Sequence, residues 1–132
     1  LGRDLYCRFD MRRDLDLFRE ILLRTEEIPP NSFNQDSLEF AGYDQDTVSE
    51  HAFLMYEAGL ISASFINYAD GGKELYKLTR LLNPGHDMLA SIRSDTVWNR
   101  TKERIGKTVG STTLEIVKGV AEGITRGMLG LE

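Results

Sequence analysis

Hydrophobic positions along the chain follow two different periods, and the change from one to the other organises the rest. At Val48, Ala52, Met55 and Ala58 the apolar residues recur every three or four positions, the spacing of one buried helix face. Gly59 comes next, where a helix can end in a left-handed residue without strain from a Cβ. Leu60–Tyr68 is then an extended run. Ala69-Asp70-Gly71-Gly72 has hairpin-turn chemistry, because glycine accepts positive φ. Glu74–Leu81 is the return strand, with Leu75, Tyr76, Leu78 and Leu81 supplying its bulk. The pattern predicts a helix running straight into a two-stranded hairpin.

Helical spacing recurs on both sides of this centre. Over Met11–Glu27, Leu15, Phe18 and Leu22 form a stripe that Leu17 and Ile21 widen. Arg12 and Arg13 then fall in the first turn, where the helix dipole disfavours cations, partly offset by Asp14 and Asp16. Glu20 and Arg24 stand four apart in the order that favours a surface ion pair. Pro29-Pro30 ends the helix. After a loop over Pro29–Gln35, Ser37–Phe40 alternates as a short strand would, with Leu38 and Phe40 inward. Asp44 or Asp46 can cap the central helix. Beyond the hairpin, Asn83 caps a helix with Pro84 in its first turn, and Met88, Leu89 and Ile92 face the core. Thr96–Lys107 is helical, with Val97, Trp98, Thr101 and Ile105 on one side and Gly106 and Gly110 as breaks. Thr112 and Glu115 match a capping box before a last helix over Leu114–Leu129.

At 132 residues the chain is one domain with short appendages. Its 41% apolar and 28% charged content is that of a globular protein. Cys7 is the single cysteine, so no intrachain disulfide and no cysteine-rich metal site is expected. No run reads as a signal peptide or a membrane span, so the expectation is a cytoplasmic protein. Net charge is −5 and the pI is about 5.1, so the overall field repels phosphate. Any nucleic-acid contact must come from a local patch.

The ending Glu57-Ala58-Gly59-Leu60-Ile61 before a hairpin resembles the third helix and wing of winged-helix domains. Three longer pieces, Met11–Leu22, Glu50–Ile61 and Leu81–Ile105, together resemble a small uncharacterised bacterial and phage family, a domain of unknown function. The run from Gly85-His86 through Asp95-Thr96-Val97-Trp98-Asn99 is the most specific part. Leu82 stands where that family tends to have Thr before the post-hairpin helix. The resemblance implies a winged-helix-like fold and a prophage context, and it brings no reaction and no catalytic residue. The expected fold is α/β, mostly α: an extension over 1–10, a winged-helix-like domain over 11–94 with the hairpin as wing, and a helical appendage over 95–132.

Three stretches are candidates for function. The first is the central helix, which in such folds enters the major groove. Gln45, Thr47 and Ser49 could hydrogen-bond base edges, yet the segment carries Asp44, Asp46, Glu50 and Glu57 and no Lys or Arg. The bland alternative is a scaffold helix or a protein-binding face. The second is basic: Lys73, Lys77 and Arg80 on the hairpin, and Arg93, Arg100, Lys102, Arg104 and Lys107 beyond it, could hold a phosphate backbone or be an ordinary solvated face. The third is the ladder Gly119, Gly123, Gly127, beside Val120 and Ile124. Three glycines cost about 3 kcal/mol of helix propensity against alanine, which close helix packing could offset. That predicts a homodimer through Gly119, Val120, Gly123, Ile124 and Gly127, with packing on the chain's own domain as the alternative. Phe53 and Tyr56 sit off the buried stripe and need cover from the N-terminal arm, the last helix or a partner.

Enzymatic readings are poor. His51 and His86 are too few for a three-histidine site, and Gly106-Lys107-Thr108 lacks the first glycine of a phosphate loop. No catalytic residue, metal or cofactor is expected. The leading expectation is a DNA-binding regulator of prophage type on double-stranded DNA. The runner-up is a winged-helix-derived protein-interaction module that does not bind DNA.

Overall fold

The computed structural model describes residues 13–30, 38–108 and 113–130. Helix α1 spans Leu15–Glu26. Asp14 caps it: its backbone is extended and its carboxylate accepts the Leu17 N–H at 3.1 Å. The helix therefore begins after Asp14 and not at Met11, because the cap offers the chain a better start than two arginines do. Arg13 precedes the cap, and Met11 and Arg12 lie outside the described residues. Leu17, Phe18, Ile21, Leu22 and Thr25 are buried, while Leu15 is only half-buried. The Thr25 hydroxyl donates to the Ile21 carbonyl at 2.6 Å, which lets it sit in the core.

The expected strand over Ser37–Phe40 does not form over 38–40, and Ser37 lies outside the described residues. The sheet of the described residues has two strands, and neither pairs with this segment. Phe40 is nevertheless buried, with the Arg24 guanidinium 4.0 Å above its ring. Arg24 Nη1 also donates to the Glu39 carbonyl at 3.2 Å.

Helix α2 spans Gln45–Glu57 and is capped by Asp44, which accepts the Thr47 N–H at 3.0 Å. Its end is a complete Schellman motif. Gly59 has φ 76°, its N–H donates to the Tyr56 carbonyl, and the Leu60 N–H donates to the Met55 carbonyl. Val48, Ser49, His51, Ala52 and Met55 form the buried face, and Ala58 is exposed. Strands β1 (Ile61–Asn67) and β2 (Lys73–Leu81) follow as an antiparallel pair. The turn is closed by Tyr68 N–H to the Gly72 carbonyl at 2.8 Å, Gly71 at φ 91°, and Asp70 accepting the Gly72 N–H. The register shifts between Ser62 and Ala63 and again between Ser64 and Phe65. Helix α2 packs on both strands, and α1 packs on α2 and β2. Ile61, Leu75, Leu78 and Leu81 are buried.

Helix α3 spans Asn83–Ile92, so Asn83 lies in its first turn and not outside as a cap. Met88, Leu89 and Ile92 are buried as their spacing predicts. Helix α4 spans Asp95–Thr108 and buries Val97, Trp98, Thr101 and Ile105. Gly106 lies inside it and does not break it; Gly110 lies outside the described residues. Helix α5, Leu114–Leu129, is capped by Thr113, which accepts the Ile116 N–H at 3.2 Å. The expected cap, Thr112, lies outside the described residues. Helices α4 and α5 pack together. The chain divides into two compact units, Leu1–Gly85 and His86–Glu132. The fold is mostly helical with one antiparallel hairpin, an α/β chain weighted to α.

Candidate interaction face on the second helix and the hairpin

The outward side of α2 is acidic and aromatic. Asp46, Glu50, Phe53 and Glu57 follow one another at intervals of four, three and four, so they share one helix stripe. The three carboxylates are exposed, and among the described residues their side chains make no hydrogen bond or ion pair. Asp46 in the first turn suits the helix dipole. Glu57 in the last turn opposes it, and no basic residue stands there to compensate.

Beside this stripe three rings meet. Phe53 and Tyr56 have centroids 6.1 Å apart, Phe53 and Phe65 5.4 Å, and Tyr56 and Phe65 5.6 Å. Both contacts to Phe65 are edge-to-face, the geometry the ring quadrupole favours. The second register shift falls immediately before Phe65, and such irregularities re-aim a strand side chain. Phe65 pairs with Leu75 across the hairpin. Burial is incomplete: Tyr56 is 47% exposed, and Phe53 and Phe65 are half-buried. The Lys73 ammonium lies 5.2 Å from the Phe53 centroid and donates to the Asn67 side-chain oxygen at 3.0 Å.

The residues expected to read DNA bases do not act together here. Ser49 faces inward, 3% exposed, and its hydroxyl accepts the Leu75 N–H at 2.9 Å. Reading it as a base contact is therefore corrected: it satisfies a strand N–H under the helix. Thr47 is half-buried, and its carbonyl accepts from His51 Nδ1 at 2.9 Å. Gln45 is half-buried at the rim of a shallow pocket lined by Glu39, Phe40, Ala41 and Tyr43. On β2, Lys73 and Arg80 are exposed and Lys77 is half-buried, with Arg80 opposite Ser62 and Lys77 opposite Ser64. In the second unit Arg93, Arg100 and Arg104 are exposed, and the Lys102 ammonium lies 5.7 Å from the Trp98 ring centroid. The side chain of Lys107, like the whole of Cys7, lies outside the described residues.

The glycine ladder of α5 is exposed at Gly119, Gly123 and Gly127. A Cβ at Gly119 or Gly123 would meet nothing within 4 Å, so neither packs against the chain's own described residues. Val120 is half-buried. Ile124 is 7% exposed and lies on the buried face with Val117 and Ala121, which corrects its place in a dimer surface.

Two positions in the first unit have tertiary roles that pattern reading does not assign. His51 is buried at 2% exposure. Its Nε2 accepts the Asp14 N–H at 2.8 Å while Nδ1–H donates to the Thr47 carbonyl, so one imidazole joins the start of α1 to α2. At Gly85 a Cβ would overlap the Leu60 carbonyl oxygen. Tyr43 also belongs to this corner: burial, followed by its hydrogen bond to Asp14, pushes its phenol up to about 12.

Charge is distributed unevenly. Residues 1–85 hold fifteen carboxylates against nine Lys and Arg, whereas residues 86–132 hold six against seven. No helix of the described residues is long and apolar enough to cross a membrane.

Comparison with known proteins gives the chain relatives. An uncharacterized protein of Haemophilus influenzae is 41% identical over 123 residues, 90% of this chain and 99% of that one. No solved structure matches. The family model described as "Hypothetical protein (DUF2513)" matches residues 12–112. With more than half of the chain covered by that model, and a relative this similar along nearly its whole length, the chain belongs to the DUF2513 family.

Proposed function

We propose that this chain is a protein-interaction module on a winged-helix-like scaffold, acting in the cytoplasm, with the outward face of α2 and the adjoining hairpin as its docking surface. One observation carries the reading. The helix that a DNA-binding relative of this fold would lay in the major groove presents Asp46, Glu50 and Glu57 around an aromatic cluster of which Tyr56 is exposed. Carboxylates there oppose phosphate, whose neutralisation supplies most of non-specific DNA affinity. Exposed aromatic rings are what protein interfaces use as anchors, with polar residues around them at the rim.

Photo-crosslinking tests it. Benzoylphenylalanine in place of Tyr56 is expected to give protease-sensitive adducts in cells that carry the protein, and the same group at exposed Thr79 is expected to give none of them. Nuclease-sensitive adducts at position 56, or identical adducts at both positions, would overturn the reading.

A second reading has one observation in its favour: three cations, Lys73, Lys77 and Arg80, lie along the hairpin strand β2. In that reading the chain is a prophage-type regulator on double-stranded DNA, with those cations on phosphates and Gln45 and Thr47 towards bases. A homodimer through the exposed stripe of Gly119, Gly123 and Gly127, with Val120 at its edge, is compatible with either reading.

A further inference from the structure

Resting on the interaction-module reading, we infer that the segment docking on α2 is basic and apolar: a peptide whose large aliphatic or aromatic side chain seats against Phe53, Tyr56 and Phe65 while its Lys or Arg side chains meet Asp46, Glu50 and Glu57. Charge complementarity selects this occupant. The stripe holds three carboxylates that no described cation neutralises. An acidic segment would add like charge to it. A purely apolar segment would cover the carboxylates without pairing them, and an unpaired buried charge is costly. A cation is the complement that makes burial of this face favourable.

The rings themselves point the same way. Lys73 already holds its ammonium 5.2 Å from the Phe53 centroid, so this aromatic surface attracts cations within the chain. Tyr56, the most open of the three rings, leaves room for a second cation from outside. Glu57 completes the argument: at the C-terminal end of α2 it works against the helix dipole, so its contribution is not to the helix.

Random-peptide display on the full chain, followed by fluorescence anisotropy of the selected peptides, tests the inference. The selected peptides are expected to carry Lys or Arg together with Leu, Ile, Phe or Trp. Their affinity is expected to fall at least tenfold on Asp46→Lys/Glu50→Lys, and to weaken as salt is raised past the point where surface charges are screened. Tyr56→Ala is expected to weaken them as well. Both variants are expected to melt somewhat below the parent, because Asp46 suits the helix dipole and Tyr56 touches Phe53 and Phe65, and to remain folded at the temperature of the binding assay. Acidic or neutral peptides that lose binding on Tyr56→Ala would overturn the basic-partner inference and leave the docking face standing. Peptides indifferent to both variants, or no selection at all, would overturn the inference and the interaction-module reading together.

Discussion

A methyl group at position 85 has nowhere to go. The Leu60 carbonyl it would strike is already fixed, because it accepts the Leu82 N–H at 2.9 Å. Gly85→Ala is therefore expected to cost about 1–3 kcal/mol, the range for overpacking a tight contact, and urea unfolding measures it. His51→Ala empties a buried position and strands the part-buried Asp14 N–H, and it is expected to cost about 1–3 kcal/mol in the same measurement. A loss under half a kilocalorie at either position would contradict these contacts. Tyr43 gives a pH signature. Its phenol is raised from 10.0 to about 12, so its contribution is complete below pH 10 and is lost as pH rises through about 12. Tyr68 is also raised, first by its hydrogen bond to Glu74, so an ultraviolet phenolate titration is expected to show Tyr43 among the late-ionising tyrosines. Tyr43→Phe is expected to reduce the late step and flatten the alkaline loss of stability. None of these three roles was legible in the sequence. Each depends on a partner far along the chain or on a backbone oxygen: His51 on a residue 37 positions away, Gly85 on Leu60. Periodicity and local chemistry carry no record of either.

Element boundaries were legible where a local motif decides them. Gly59 ends α2 with both Schellman hydrogen bonds, and Asp70-Gly71-Gly72 closes the hairpin as its residue types require. Reading failed where two signals competed. Asp14 starts α1 later than its apolar spacing suggests, and Leu38 and Phe40 alternate without any strand to pair with. Helix α5 carries the element's own prediction. With open space above Gly119 and Gly123, Gly119→Ala and Gly123→Ala are each expected to raise the stability of the monomer by about 0.5–1 kcal/mol. If the stripe seats a second copy, light scattering is expected to show a mass that grows with concentration in the parent and stays monomeric in Gly123→Leu. A mass independent of concentration in both would contradict self-association through α5.

Over the described residues the sequence carried the fold class, since two helices, a hairpin and three further helices are all marked by period and punctuation. It carried the candidate site only in part. The acidic run on α2 was visible, but which of its polar residues face out was not: Ser49 differs from Glu50 by one position and turns inward because a strand N–H needs an acceptor there. Likewise Phe65 could not be placed beside Phe53 and Tyr56 without the register shift in β1. The central claim is that the α2 face meets protein and repels phosphate. The most direct measurement is duplex-DNA anisotropy at low salt on the parent chain and on Asp46→Lys/Glu50→Lys/Glu57→Lys, side by side. The expected result is no binding by the parent and salt-sensitive binding gained by the variant. Salt-sensitive binding by the parent, lost on Lys73→Ala/Lys77→Ala/Arg80→Ala and not strengthened by the charge reversal, would contradict the claim and establish the DNA reading in its place.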